Sequence, residues 1–325
     1  MTERLGSALL RWKTVAAALA GALVLAGVLS GLRLDVGRDL HVDARTRTSP
    51  VAGRPVPPVH EQPAARIAAT GDTGTGSEAQ HRTARRMLLE SRERAYDALV
   101  LLGDLVYEDG DASLVEHVVL SPFSPVMEAG AALVPVLGNH DYESGEQEQI
   151  LAALGRAQSW YVHRSGPVRL IVLDSNRVDD DAQLAWLRRT LREPVAPETW
   201  TVVAMHHPAY SAGHHGSDMS VRKRWGPLFA DHGVRLVLAG HDHDYQRSTV
   251  QDGVTYVVSG AGAKLRATGR LPFTAVSSST LHYLDVLVYE DRLVGRAIDH
   301  SGRLVDEFTI RRDRPLIETQ LARRP

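Results

Sequence analysis

Five short apolar runs in this sequence each end in residues that bind metals well. Carboxylate, amide and imidazole side chains are the usual protein ligands of magnesium, manganese, iron and zinc. Their recurrence after similar runs predicts a site that collects several metal ligands, where two neighbouring cations could activate water for hydrolysis. The motifs that follow the runs are GDTG (71–74), GDLVY (103–107), GNHD (138–141), VAMHH (203–207) and GHDH (240–243).

The runs themselves predict the elements that position these residues. Continuous apolar runs of this length, bounded by turn residues, are typical of strands buried on both faces of a sheet. In layered α/β folds, ligands bind outside the carboxyl ends of such strands. Glycine tolerates the backbone angles of sharp turns, so Gly71, Gly103, Gly138 and Gly240 mark the exits from four of the predicted strands.

Composition limits the possible classes of protein and of metal site. A chain of 325 residues, 43% of them hydrophobic, can bury a full core and suits about one large domain with appendages. The formal net charge of −2 shows no basic field, so a nucleic-acid partner is not favoured. The sequence has no cysteine, which excludes disulfides, thiolate ligands and iron–sulfur clusters. Oxygen and nitrogen atoms must therefore hold any metal.

The N-terminal region contains a candidate membrane segment. Residues 14–32 carry no charge and are flanked by Arg11, Lys13 and Arg33. This pattern predicts a transmembrane helix with residues 1–13 in the cytoplasm and the main domain outside it. A retained anchor in the cell membrane is favoured because the segment is longer than a usual signal core, and a cleaved signal peptide with secretion is the alternative.

The rest of the chain divides by composition into three parts. Residues 33–65 are polar and rich in proline, which predicts an extended spacer. Residues 66–311 carry all five motifs and form the expected catalytic domain. Residues 312–325 are basic and are expected to fray.

Within the domain, the pattern alternates between strands and helices. Ser77 and Gln80 suit the start of a helix that runs to about Arg94, and residues 183–191 suit an amphipathic helix. Residues 254–259, 281–289 and 292–298 alternate like antiparallel strands. This order predicts two sheets packed between helices.

In their order, the five motifs resemble the calcineurin-like metallophosphoesterase superfamily, and within it the purple acid phosphatases of the small, single-domain, tartrate-resistant type. The superfamily usually has Asp-x-His in its first motif, whereas this chain has Gly74 in place of the histidine. Purple acid phosphatases make the same exchange and supply a tyrosine three residues after a bridging aspartate, as Tyr107 stands here. The resemblance spans residues 66–311 and implies an α/β fold, a four-layer αββα sandwich.

The resemblance also implies two metal ions and their ligands. Asp104 would bridge the two ions. A tyrosine phenolate is a hard donor, so Tyr107 implies Fe(III) with Fe(II), Zn or Mn beside it. The implied ligands are Asp72, Asp104, Tyr107 and His243 for the first metal, and Asp104, Asn139, His206 and His241 for the second.

Three further histidines have implied roles around the metals. His140 matches a histidine that faces the substrate, and His215 matches one that could protonate the leaving group. His214 is adjacent and could assist. His207 matches no family role and is expected beside the site or at its rim, and Leu173 to Asn176 resemble the family without supplying a ligand.

Together these residues imply a binuclear-metal phosphatase that hydrolyses small phosphate monoesters by in-line attack of a metal-bound hydroxide. A phosphodiesterase or nucleotide hydrolase could use the same metal core, since these activities differ in the pocket walls rather than in the ligands. A protein that keeps the fold as an inactive binding module is a further alternative. The intact ligands argue against it.

Overall fold

Two β-sheets face each other across an apolar core in the part of the chain that the computed structural model describes, residues 47–312. Short, fully buried runs form most of the central strands, as expected for strands covered on both faces. The strands are β1 (Ala65–Thr70), β2 (Ala98–Leu102), β3 (Ala132–Val136), β4 (Tyr161–Ser165), β5 (Val168–Val172), β6 (Trp200–Ala204), β7 (Leu236–Ala239), β8 (Tyr245–Ser248), β9 (Thr255–Ser259), β10 (Thr274–Ser278), β11 (His282–Val288), β12 (Arg292–Asp299) and β13 (Leu304–Arg311).

Each sheet combines a group of parallel strands with antiparallel strands. The six-stranded sheet has the order β13-β12-β11-β1-β2-β3, with β1, β2 and β3 parallel to one another. The seven-stranded sheet has the order β10-β8-β9-β7-β6-β5-β4, in which β5, β6, β7 and β9 are parallel. The carboxyl ends of neighbouring parallel strands therefore lie side by side at the same end of each sheet.

Helices cover the outer face of each sheet. Met87, Phe123 and Ile150 of the first three helices pack in one apolar cluster with strand β2, and Leu187 and Phe229 pack in another with β6 and β7. This arrangement confirms the predicted two-sheet α/β fold. The helices are α1 (Glu78–Glu90), α2 (Ser121–Glu128), α3 (Gln147–Ala153), α4 (Asp181–Arg192), α5 (Met219–Arg224) and α6 (Gly226–Asp231), with a π-helical turn at Glu116–Leu120 before α2.

Helix α1 begins where the sequence predicted and ends earlier. Ser77 caps it by accepting a hydrogen bond from the Gln80 backbone N–H at 3.5 Å. The predicted end at Arg94 is wrong by four residues. The carbonyls of Glu90 and Arg94 instead accept hydrogen bonds from the buried guanidinium of Arg66, at 2.9 and 2.6 Å. The chain leaves the helix at Ser91, and Arg66 satisfies both of these carbonyls.

Strand β9 corrects a second expectation. Its sequence suggested an antiparallel strand, but β9 lies between β7, to which it is parallel, and β8, to which it is antiparallel. The alternation of side chains is the same in both pairings, so the sequence pattern did not distinguish them.

Residues 47–57 differ from the extended spacer that was expected for 33–65. The Arg47 carbonyl accepts a hydrogen bond from the Ser277 backbone N–H of β10 at 3.0 Å. The Gly53 backbone N–H donates to the Leu304 carbonyl of β13 at 2.8 Å, and Val56 packs against the core. We call residues 47–57 the N-terminal strap.

The ends of the chain lie mostly outside the described residues. The candidate membrane segment 14–32 is among them, and so is the tail from residue 313 onward. Within 47–312, no helix is long and apolar enough to cross a membrane. Arg312, the first residue of the expected frayed tail, stacks its guanidinium 4.2 Å above the Trp200 ring, so it lies against the domain.

Candidate metal centre

The predicted metal ligands follow parallel strands of both sheets. Asp72, Asp104, His206 and His241 each stand two residues after the end of β1, β2, β6 and β7 respectively. Asn139 stands three residues after β3. The two edges meet, because the His241 backbone N–H donates to Oδ2 of Asp72 at 3.0 Å. The site is therefore built at the shared carboxyl-terminal edge of the two sheets.

Tight backbone geometry brings these loops together. Asp72, Asp104 and His241 have left-handed backbones, with φ of 59°, 52° and 72°. Such angles cost about 1–3 kcal/mol for residues other than glycine and persist where the surrounding structure enforces them. A Cβ atom at Gly103 would lie 2.3 Å from Nδ1 of His206, and one at Gly138 would lie 2.2 Å from the Asp104 backbone nitrogen. Only glycine allows these close approaches.

The ligands predicted for the first metal converge. The Tyr107 hydroxyl lies 2.7 Å from Oδ2 of Asp104, 3.3 Å from Oδ1 of Asp72 and 3.2 Å from Nε2 of His243. Nε2 of His243 lies 3.4 Å from Oδ1 of Asp72. These donor atoms lie close enough together to hold one metal ion.

The ligands predicted for the second metal converge in the same way. Oδ1 of Asn139 lies 3.2 Å from Nε2 of His206 and 3.0 Å from Nδ1 of His241. Nε2 of His206 lies 3.3 Å from Oδ1 of Asp104. Asp104 thus directs one carboxylate oxygen to each group.

The hydrogen-bond partner of His206 determines which of its ring nitrogens is available to bind a metal. Nδ1 of His206 lies 2.8 Å from the Leu102 carbonyl oxygen, which can only accept, so Nδ1 carries the hydrogen. In the neutral ring, Nε2 then turns its lone pair towards the oxygens of Asp104 and Asn139. Lone pairs that face one another at this distance suit a shared metal ion.

Burial and charge support the same conclusion. Asp72 is fully buried, and burial together with the nearby charge of Asp104 raises its pKa well above the usual range. Burial also acts to raise the pKa of Asp104, but the charge of His206 and the Tyr107 hydroxyl lower it overall. Burial, followed by the charge of Arg266, lowers the pKa of His243 to about 4. The pocket therefore brings carboxylate and imidazole groups together, a donor set that fits two cations.

The histidines predicted to face the substrate lie beside this centre. The His140 backbone N–H donates to Oδ1 of Asp104 at 3.1 Å, and its ring centroid is 4.7 Å from that of Tyr107. The His215 ring is exposed and lies 4.3 Å from the His241 ring. His214 is also exposed, and its ring lies 4.9 Å from that of His215.

His207 lies closer to the metal ligands than its sequence position suggested. One of its ring nitrogens falls within 4.8 Å of ligand atoms of His206 and His241. Nδ1 of His207 lies 2.8 Å from the Ser175 hydroxyl. Burial and the charge of His206 lower the pKa of His207 to about 3. It thus stands as a neutral, partly buried ring beside the second ligand group.

Sequence reasoning missed two buried carboxylates that hold the site loops. Oδ1 of Asp141 accepts hydrogen bonds from the backbone N–H groups of Leu105 and Val106, at 2.8 and 2.9 Å. Oδ1 of Asp242 accepts one from the His215 backbone N–H at 2.7 Å. Both stand next to a predicted site histidine inside the GNHD and GHDH motifs, and that position was the available signal.

The sequence of this chain is similar to those of a known protein family. The family model for calcineurin-like phosphoesterases matches residues 65–245, more than half of the chain. Human tartrate-resistant acid phosphatase type 5 is 30% identical over 242 residues, covering 62% of this chain and 73% of that protein. Purple acid phosphatase 3 of Arabidopsis thaliana is 27% identical over 247 residues, covering 66% of this chain and 67% of that protein.

Solved structures agree on the fold. A purple acid phosphatase from yellow lupin seeds superposes with a TM-score of 0.65 and 18% identity, covering 77% of this chain and 54% of that one. GAP50 of Plasmodium superposes with a TM-score of 0.67 and 16% identity, covering 78% and 90%. At these identities the structural likeness shows the fold alone. The sequence relatives and the family model show more: the chain belongs to the calcineurin-like phosphoesterase family and is a metal-dependent phosphoric ester hydrolase related to the purple acid phosphatases.

Proposed function

We propose that this protein is a binuclear-metal phosphatase that hydrolyses phosphate monoesters. The observation that carries the proposal is the position of Asp104, which directs one carboxylate oxygen to each of the two groups of predicted ligands. Two cations held side by side polarise a phosphoryl oxygen and lower the pKa of a water molecule so that it can attack phosphorus.

The choice of metals follows from the ligands. Tyr107 supplies a phenol oxygen to the first group only, and a phenolate favours a trivalent ion. We therefore propose Fe(III) in the first group. The second group has one carboxylate, one amide and two imidazoles, a set that suits Fe(II), Zn or Mn.

We propose that His140 meets the phosphoryl group. Its Nδ1 faces the carbonyl oxygen of Glu108, which only accepts, so this nitrogen carries a hydrogen. Nε2 is left for another partner at the mouth of the site. A ring held in this way can stabilise charge on a bound phosphate or pass a proton.

We propose that His215 serves the leaving group. Its backbone is held by Asp242, and its ring lies against His241 while remaining exposed. A protonated imidazole at this point can give its proton to the departing alkoxide, which lowers the barrier to breaking the ester bond. His214 contacts this ring and could assist by helping to orient it.

The test is a paired assay on the metal-loaded protein. Activity on p-nitrophenyl phosphate is measured against activity on bis(p-nitrophenyl) phosphate, together with metal content and the visible spectrum. The proposal expects a clear preference for the monoester, two metals per chain including iron, and a tyrosinate-to-Fe(III) absorption band. Preference for the diester would replace the proposal with a phosphodiesterase on the same core. Stoichiometric metal without either activity would leave an inactive binding module.

A further inference from the structure

A loop outside the five motifs reaches the mouth of the metal centre. Residues 260–273 connect β9 and β10, and three hydrogen bonds hold the chain there. The Gly262 N–H donates to the Gly71 carbonyl at 3.1 Å, and the Arg266 N–H donates to the His243 carbonyl at 2.9 Å. The Ser279 hydroxyl donates to the Arg266 carbonyl at 2.6 Å. The backbone of Arg266 is thereby fixed beside the predicted ligand His243.

The loop can approach this closely because position 262 has no side chain. A Cβ atom there would lie 2.5 Å from Cγ2 of Thr73 and 2.7 Å from the Gly71 carbonyl oxygen. Real Cβ atoms do not make such contacts. Gly262 therefore sets the distance between this loop and the Asp72 loop.

Arg266 carries an uncompensated positive charge at the site. Its Nη1 lies 3.4 Å from Nε2 of His215, and no carboxylate lies within ion-pair distance of it among residues 47–312. A guanidinium stays protonated at any working pH.

Lys264, on the same loop, differs from Arg266 in this respect. Its Nζ lies 2.9 Å from both carboxylate oxygens of Glu108 and 3.5 Å above the ring centroid of Tyr107. The charge of Lys264 is thus matched within the protein. Arg266, unlike Lys264, is left to meet a charge on the substrate.

We propose that Arg266 determines specificity by binding a second anionic group on the leaving-group side of the substrate. The inference rests on the proposed function, because it takes His215 as the residue that faces the leaving group. A planar guanidinium forms paired, charge-assisted hydrogen bonds with carboxylate and phosphate alike. The site therefore prefers phosphate esters whose leaving group carries a carboxylate or a further phosphate.

The reaction itself is ordinary hydrolysis. Water adds its oxygen to the phosphorus, and the bond between phosphorus and the ester oxygen breaks. The ester oxygen leaves with the anionic fragment and takes up one proton, while the other proton of water remains with orthophosphate or passes to solvent. Arg266 remains unchanged and binds the anionic fragment throughout.

The experiment compares substrates that differ by one anionic group. Values of kcat/KM are measured for glycerol phosphate and 3-phosphoglycerate, which share a three-carbon skeleton and differ in a carboxylate. In wild-type protein, 3-phosphoglycerate should be preferred, and Arg266→Gln should lower this preference by about tenfold or more, the size expected for a charge-assisted hydrogen bond. Arg266→Lys should keep part of the preference. Arg189→Gln, on the exposed face of α4, is the matched control and should leave it unchanged.

A binding measurement covers the phosphate source of the second charge. Calorimetry on the metal-loaded protein compares orthophosphate with methylenediphosphonate, which is not hydrolysed. Arg266→Gln should weaken methylenediphosphonate by about tenfold more than it weakens orthophosphate. If Arg266→Gln reduces the preference only in the ester comparison, the preferred group is a carboxylate. If it does so only in the calorimetric comparison, the preferred group is a phosphate.

Two results would overturn the inference. One is that Arg266→Gln leaves the preference unchanged in both comparisons. The other is that Arg266→Gln lowers kcat/KM or affinity equally for molecules with one anionic group and with two, which would mean that Arg266 only supports His215. Failure of the proposed function looks different. In that case wild-type protein with its metals bound would hydrolyse neither ester.

Discussion

Gly74 accepts a hydrogen bond from the Tyr107 backbone N–H at 2.9 Å, and its own N–H donates to the Asp104 carbonyl at 3.2 Å. A Cβ atom at position 74 would lie 1.9 Å from the carbonyl oxygen of Leu105. The loop that carries Asp104 and Tyr107 therefore occupies the space that any side chain at position 74 would need. The histidine that the superfamily usually has at this position would therefore clash with the backbone of this loop.

Tyr107→Phe should abolish the tyrosinate-to-Fe(III) absorption band and weaken iron binding at the first group at least about tenfold. The substitution removes a ligand atom, whereas groups one step further from a metal already contribute about 10–100-fold in affinity. Visible spectroscopy and iron titration measure both effects. Tyr142→Phe is the control, because the Tyr142 hydroxyl bonds to Asp174 away from the ligands. A band that survives in Tyr107→Phe would contradict the assignment.

Asp104→Asn should deplete both metals together and reduce turnover to background. Asparagine keeps the shape but removes the anionic oxygens that Asp104 directs to the two groups. Elemental analysis of the purified variant gives the metal content. Asp291→Asn, at an exposed carboxylate, should retain both metals. Loss of one metal with the other retained would show that Asp104 does not bridge.

His215→Ala should keep both metals and lower kcat on a monoester by about 10²–10⁴-fold, the usual range for a lost general acid. Burial, followed by the charge of Arg266, lowers the pKa of His215 despite the opposing charge of Asp242. Since the protonated ring is the active form, kcat should fall as pH rises through this lowered pKa. This fall in kcat with rising pH should be absent in His215→Ala. An unchanged pH profile with a lower kcat would instead indicate a structural role.

His282 should make the fold lose stability in acid. Burial lowers the pKa of this fully buried ring from 6.5 to about 4, and Nδ1 donates to the Thr280 carbonyl at 2.8 Å. Between these two values the unfolded chain binds the proton and the folded chain does not. The contribution of neutral His282 to the free energy of unfolding is therefore complete above about pH 6.5 and is lost as pH falls towards 4. The total change is roughly 3 kcal/mol.

Denaturant unfolding of the metal-free protein at a series of pH values measures this term. His282→Gln should show a correspondingly smaller change in the free energy of unfolding between pH 6.5 and 4. His60→Gln, at an exposed histidine, should retain the wild-type change. Equal pH dependence in wild type and His282→Gln would exclude the assignment.

The sequence was informative where chemistry follows a strand. Asp72, Asp104, Asn139, His206 and His241 come directly after buried runs, and parallel strands place their carboxyl ends together, so their convergence could be predicted. Their roles as ligands remain predictions, although the structure brings them together as the motif order implied.

Features made by distant partners could not be predicted in this way. Asp242 holds His215 from 27 positions away, and Arg266 reaches His215 across 51 positions. Neither contact leaves a local pattern, because both depend on how loops from different strands pack. Likewise, Arg66 lies before α1 in the sequence and donates hydrogen bonds to the carbonyls of Glu90 and Arg94 at and beyond the end of this helix.

The N-terminal strap has a consequence for the behaviour of the protein in concentrated solution. Strands β10 and β13 are the edge strands on one side of the two sheets, where unpaired backbone groups invite pairing with another molecule. Arg47 pairs with Ser277 of β10, and Gly53 pairs with Leu304 at the start of β13. The strap therefore shields part of both edges, and a recombinant chain that began at Ala65 would leave them open to aggregation.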